Sequence, residues 1–159
     1  MAREVRFDDI AALKALVSTE FGAWGAELEV TQDMIQRFAD LTGDQQWIHV
    51  DVERARRESS FGGPIAHGFL TLGLLARLRA PLPFQLTGHK NVTNYGAESL
   101  RFLAPVPAGG RLHAHARLAD VQTRPAGTLV TIETAVHVIG SEKPSLVYKG
   151  LVLYQGPRS

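Results

Sequence analysis

The sequence predicts an α+β fold in which an antiparallel sheet wraps a long central apolar helix. Two patterns carry that prediction. From Gly62 to Ala76 no residue bears a formal charge, and Phe69, Leu70, Leu72, Leu74, Leu75 and Leu78 fall on nearly every side of a helix read over Ala66–Ala80. A helix that is apolar all round has to be buried. From Asn91 onward the chain instead reads as consecutive strands joined by short turns, the pattern of an antiparallel sheet with one covered face.

Composition sets the frame for that fold. At 159 residues, 45% apolar and 21% charged, the chain fits one globular domain over residues 1–159. A net charge of +1 provides no field for nucleic acid or an anionic membrane. The absence of cysteine excludes disulfides, thiolate metal sites and a cysteine nucleophile. The opening residues lack the apolar core of a signal peptide, and the uncharged run is too short to span a bilayer. A soluble, cytoplasmic protein is expected.

The elements follow in order. Asp8–Thr19 is expected to be an amphipathic helix, with Ile10, Leu13, Leu16 and Val17 on one stripe. A first strand is read within Phe21–Val30, where Leu28 and Val30 alternate with Glu27 and Glu29. Thr31 is a good N-cap and Asp33 favours the positive end of a helix dipole. Met34, Ile35, Phe38 and Leu41 then have helical spacing, and Gly43 suits the C-cap. A loop carrying Asp44 and His49 follows. Asp51 is placed to cap a short helix through Arg57, whose Arg54, Arg56 and Arg57 read as a solvated face. A Gly-rich turn, Ser59–Pro64, leads to the apolar helix, and Pro81 and Pro83 end it. Strands are then read at Asn91–Phe102, Arg111–Leu118, Thr128–Val138 and Ser145–Tyr154. In the second, Leu112, Ala114, Ala116 and Leu118 share one face, while Arg111, His113, His115 and Arg117 share the other, taken as solvated. So small a sheet has exposed edges, and joining two copies edge to edge would hide them, so a homodimer is expected.

Two sets of residues could carry chemistry. Asp44 and His49 lie in Gly43-Asp-Gln-Gln-Trp-Ile-His-Val-Asp51, where a turn in the chain can aim an imidazole and a carboxylate at one water, making a general acid/base unit. Taken alone, they read first as a turn aspartate and a histidine bonded to backbone. His67-Gly68 opens the apolar helix. First-turn N–H groups have no intrahelical partner and suit a developing oxyanion, and Gly68 lets a ligand carbonyl come close. Their ordinary reading is a packed histidine and a glycine that eases helix entry. His113 and His115 lie between Arg111 and Arg117 with no carboxylate beside them, which disfavours a metal site. His89 and His137 carry no assignment.

Together, Phe38-Ala-Asp-Leu-Thr-Gly-Asp44-Gln-Gln-Trp-Ile-His49-Val-Asp51 and Gly63-Pro-Ile-Ala-His67-Gly68 resemble the signature of the MaoC-like hydratases, which include (R)-specific enoyl-CoA hydratases and 3-hydroxyacyl-thioester dehydratases. Asn94-Tyr-Gly96 and Arg101-Phe-Leu-Ala-Pro-Val-Pro-Ala-Gly109 extend the resemblance over roughly residues 20 to 155. It implies a hot-dog fold, usually dimeric, in which Asp44 and His49 form the catalytic dyad and the Gly68 N–H bonds the thioester carbonyl. His67, Asn94 and Trp47 become substrate-binding candidates. The implied reaction is reversible hydration of a trans-2-enoyl thioester to the (R)-3-hydroxyacyl thioester. CoA or phosphopantetheine enters as part of the substrate, with no metal or redox cofactor. A thioesterase and a non-catalytic acyl-thioester-binding protein are the rival readings. Two departures stand out. Gln46-Trp47 replaces the commoner Asn-Pro, as in a subgroup related to the nodulation protein NodN, and Trp47 is expected to shape the acyl entrance. Where some hydratases have a serine on the central helix, Ala76 falls near that place and Thr71 offers the hydroxyl.

Overall fold

The structure, a computed structural model, describes residues 3–157. Its element order is β1 (Arg3–Arg6), α1 (Ile10–Lys14), β2 (Leu28–Glu29), α2 (Gln32–Thr42), α3 (Trp47–Val50), α4 (Val52–Glu58), α5 (Gly68–Gly73), α6 (Leu75–Leu78), β3 (Phe84–Thr87), β4 (Asn91–Phe102), β5 (Arg111–Arg124), β6 (Gly127–Val138) and β7 (Leu146–Gln155). The main sheet is antiparallel, in the order β2-β5-β6-β7-β4. This is the expected α+β architecture.

The alternation read in β5 sets the core. Leu112, Ala114, Ala116 and Leu118 are all buried. Leu112 and Ala114 pack with Val136 and Leu146 of the neighbouring strands against Leu70, Leu74 and Leu78 of the central helix. At the other end of the sheet, Leu118, Val121 and Val130 cover Leu13 of α1 and Val5 and Phe84 of β1 and β3. The β1–β3 pair is parallel and was not expected. Pro81 and Pro83 were read only as a stop, whereas Phe84–Thr87 immediately resumes as a strand.

Several boundaries differ from expectation for local reasons. The first helix is only Ile10–Lys14, capped by the Asp9 side chain on Ala12 N–H at 3.0 Å. Past it, Ser18 N–H turns away to bond Leu118 O of β5. The expected strand within Phe21–Val30 shrinks to Leu28–Glu29. Before it, Gly22 and Gly25 donate to Ala116 O and Ala114 O, so the chain touches β5 at intervals rather than in register. At Gly25 a side chain is excluded, since a Cβ would lie 2.2 Å from Leu78 O. Ala26 N–H caps that same carbonyl at 2.9 Å, tying the end of α6 to the sheet edge.

The central helix is broken rather than continuous over Ala66–Ala80. It comprises α5 and α6 with a junction at Leu74, whose ψ of −6° is far from the α-helical value. Gly73, a weak helix former, directly precedes that junction. Nor is the helix buried on every side: Phe69 is 64% exposed, because the five strands leave that side uncovered. The face of β5 taken as solvated is partly covered. Trp24 stacks on His113 and His115, with ring centroids 3.8 and 3.9 Å away.

The elements that carry the site follow expectation closely. Thr31 caps α2 by accepting from Met34 N–H at 3.2 Å. Gly43 ends it at φ 80°, a left-handed conformation that glycine adopts at little cost, and its N–H bonds Ala39 O. Ile35 and Ala39 anchor α2 in the core, while Leu41, expected on the same stripe, is 85% exposed. Asp51 caps α4 on Arg54 N–H at 3.0 Å. Arg54 and Arg56 pair with Glu58 and Glu53 on its exposed face, as expected of a solvated helix.

Candidate active site

The left-handed turn at Gly43 delivers Asp44 to the start of a short loop. The Asp44 N–H meets Thr42 Oγ1, and its Oδ1 accepts from Gln46 N–H, each at 3.4 Å. Its side chain remains 56% exposed. His49 does not lie on a loop as expected. It sits in the one-turn helix α3 and is only 7% exposed. Gln32 of α2 holds that turn by donating to His49 O at 2.7 Å.

The extended segment before α5 completes the arrangement. Ile65 N–H bonds Ile48 O at 3.1 Å, and Ala66 N–H bonds Val106 O at 2.8 Å. The Ile65 carbonyl, 2.7 Å from His49 Nδ1, can only accept. His49 Nδ1 is therefore the donor, and in the neutral ring Nε2 keeps its lone pair. By the same argument His67 Nε2 donates to Asp44 O at 3.0 Å. The His49 and His67 rings stack with centroids 3.8 Å apart, and His67 Nε2 lies 4.0 Å from Asp44 Oδ2. Asp44, His49 and His67 thus come together from three different elements.

An apolar cleft of about 470 Å³ opens onto this cluster. His49, Gly68, Thr71, Phe61, Phe102 and Ser145 are on its walls. Thr71 N–H makes the first backbone bond of α5, to His67 O, so the N–H groups of Gly68, Phe69 and Leu70 precede the intrahelical ladder. A Cβ on Gly68 would lie 2.8 Å from the Phe102 ring, so a larger residue here would force that ring to shift. Phe69 and Phe102 were named in the sequence, in the apolar helix and the Arg101–Gly109 motif, whereas Phe61 and Ser145, also on the cleft walls, were not singled out. They come from separate elements, and no spacing within one segment could reveal their meeting.

Three expected substrate contacts stand elsewhere. His67 is 3% exposed and bonded to the Asp44 backbone, not on the cleft wall. Trp47 packs under Arg54, whose guanidinium carbon is 4.3 Å from the ring centroid, and is not among the residues on the cleft walls. Asn94 lies on the exposed edge strand β4, away from the cleft lining. The donor atoms of Asp44, His49 and His67 lie within 4.8 Å of one another, near the span a small cation could bridge. His67 Nε2 would first have to give up the Asp44 carbonyl.

Comparisons with known proteins bear on the family and the fold. The sequence profile of the MaoC like domain matches residues 23–139. The chain belongs to the MaoC-like family. Within the family, 3-hydroxyacyl-thioester dehydratase Z of Mycobacterium tuberculosis is 43% identical over 151 residues, covering 93% of this chain and 97% of that protein. Nodulation protein N of Rhizobium meliloti is 37% identical over 155 residues, covering 96% and 92%. The crystal structure of the MaoC-like dehydratase from Rhodospirillum rubrum superposes with a TM-score of 0.70 at 25% identity, covering 92% of this chain and 98% of that one. This MaoC-like chain has the hot-dog fold, and its likeness to nodulation protein N agrees with the subgroup read from Gln46-Trp47. Among the described residues no helix is long and apolar enough to cross a membrane.

Burial holds the His49 pKa below its ordinary 6.5. The neighbouring His67 pushes the same way, while the bond to Ile65 and the Asp44 charge push upward. As pH falls, the unfolded chain therefore takes up this proton before the folded one. The stability that neutral His49 contributes is complete above 6.5 and is lost as pH falls through the folded value. An NMR titration of the His49 ring should show a midpoint below 6.5; a midpoint above it would contradict this environment.

Proposed function

We propose that the protein catalyses the reversible hydration of trans-2-enoyl thioesters to (R)-3-hydroxyacyl thioesters, as a hydro-lyase. The observation that carries this reading is the shared cleft: the imidazole of His49 and the open N-terminus of α5 at Gly68 face one apolar cavity, with the Asp44 carboxylate beside the histidine pair. The likeness to the mycobacterial 3-hydroxyacyl-thioester dehydratase Z, at 43% identity over nearly the whole chain, supports the same chemistry.

A water held between the Asp44 carboxylate and His49 Nε2 would attack C3 of the enoyl group. As the new C3–O bond forms, the C2–C3 π electrons shift toward the thioester, the dyad takes the water proton, and a proton is returned to C2. Either group can hold the proton in this exchange, so base and acid are not assigned to single residues. Positioned acid/base groups of this kind contribute about 10² to 10⁴ in rate. The charge that grows on the thioester oxygen meets the Gly68 N–H. One such donor is typically worth about 3 kcal/mol, or about a hundredfold in rate. The acyl chain lies along the phenylalanines of the cleft. CoA or phosphopantetheine belongs to the substrate, and the residues ask for no separate cofactor.

The working unit is a homodimer. β4 ends the main sheet, and nearly all of its length is exposed, with Val92, Tyr95 and Phe102 at 46%, 60% and 45%. Phe69, at 64%, lies 5.4 Å from Phe102 between ring centroids and extends the same apolar surface. A strand of this length with one free edge, beside exposed aromatics, calls for a second copy. Asn94 sits on the same strand, so a role for it in substrate binding would run through that interface.

With crotonyl-CoA as substrate, Asp44→Asn and His49→Gln should each lower kcat by at least about a hundredfold while leaving the circular dichroism spectrum unchanged. A folded variant with near wild-type turnover would remove that residue from the mechanism. In solution, light scattering coupled to size exclusion should give about twice the 17.4 kDa chain mass. A monomer would overturn the dimer.

A further inference from the structure

His67 was expected to touch substrate, yet it lies behind the site and makes contacts of a different kind. Its ring is buried at 3% exposure. One face stacks on His49 at 3.8 Å, and Phe38 of α2 packs against it at 4.9 Å. Nε2 donates to the Asp44 backbone carbonyl across 23 residues of sequence. Nδ1 is buried without a hydrogen-bond partner among the described residues.

We infer that His67 is a positioning residue for the dyad, holding the Asp44 loop through its backbone carbonyl while its ring fixes the plane of His49. This rests on the hydratase reading of the same site. Without the Nε2–H bond, the bonds left to Asp44 itself, from its N–H to Thr42 and from Gln46 N–H to its Oδ1, are both 3.4 Å long. Without the ring, His49 loses the surface that keeps it from tilting out of its bond with Ile65. Asp44 from the loop and His49 from α3 are the titratable groups that face it, and α2 contributes Phe38. His67 reaches neither the cleft nor the reacting atoms, so its effect passes through the other two residues.

Two variants and one wild-type measurement test this. His67→Leu removes the donor, whereas His67→Gln keeps an N–H able to reach the Asp44 carbonyl. On crotonyl-CoA, His67→Leu should lower kcat by about a hundredfold with little change in KM, the size expected when a reacting group is misplaced by about 1 Å. His67→Gln should recover most of that loss. Both variants remove the His67 ring, whose proximity opposes protonation of His49, so both should move the acidic limb of the pH–kcat profile upward. In the wild type, ¹⁵N-resolved NMR should find the His67 proton on Nε2. Wild-type kcat in His67→Leu, equal losses in both variants with an unmoved acidic limb, or a neutral His67 ring protonated on Nδ1 would each overturn the inference. If neither variant folds, the wild-type tautomer decides it. If the wild-type protein hydrates no enoyl thioester, the hydratase reading fails on its own, and the tautomer still tests the His67–Asp44 contact.

Discussion

The segment Ile65–His67 hydrogen-bonds in both directions, and the site depends on it. Its backbone takes Ile48 on one side and Val106 on the other. The Ile65 carbonyl orients His49, and the His67 ring holds the Asp44 loop. Gly68 follows at once, at the helix N-terminus. Three consecutive residues and the glycine after them thus set the dyad and the backbone donor together. A shift of this segment would move every proposed reacting group.

That arrangement is held mainly by polar bonds set into an apolar frame. Leu70 and Leu74 fasten the start of the helix to β5, β6 and β7, and Ile35 and Ala39 fasten α2 beside it. The helix cannot slide without opening the core, so Ile65–His67 is fixed by packing as well as by hydrogen bonds. Bonds of this kind each contribute about 1 kcal/mol net, but leaving a buried group unpaired costs more. The same enclosure tunes chemistry, because burial keeps His49 neutral at a pH where an exposed histidine would begin to charge. Asp44, more than half exposed, remains open to water.

Much of this was legible in the chain. The alternation of Arg111–Leu118 and the uncharged run through Leu75 were sufficient for the α+β class. Thr31, Gly43 and Asp51 gave three helix ends, because capping is local chemistry. Asp44, His49 and Gly68 were readable as a combination of motifs, and the structure brings them to one place. What failed was what depends on distant partners. The Arg54 guanidinium that packs on Trp47 comes from the next helix, and no pattern around Trp47 announces it. His113 and His115 were taken as solvated because no local pattern shows that Trp24 will fold back over them. The β1–β3 pair joins the two ends of the N-terminal half, and neither strand alone is long enough to announce itself. His67 was recognised as part of a motif, but its partner, a backbone carbonyl, has no sequence signature at all.

The central claim is that this cleft directs water to C3 of an enoyl thioester and not to its carbonyl carbon. Incubation with trans-2-enoyl-CoA, followed by chiral analysis of the product and a free-thiol assay, tests it most directly. The account predicts loss of the enoyl absorbance, a single (R)-3-hydroxyacyl-CoA and no free CoA. Release of free CoA with the enoyl group intact, or formation of the (S) product, would contradict it.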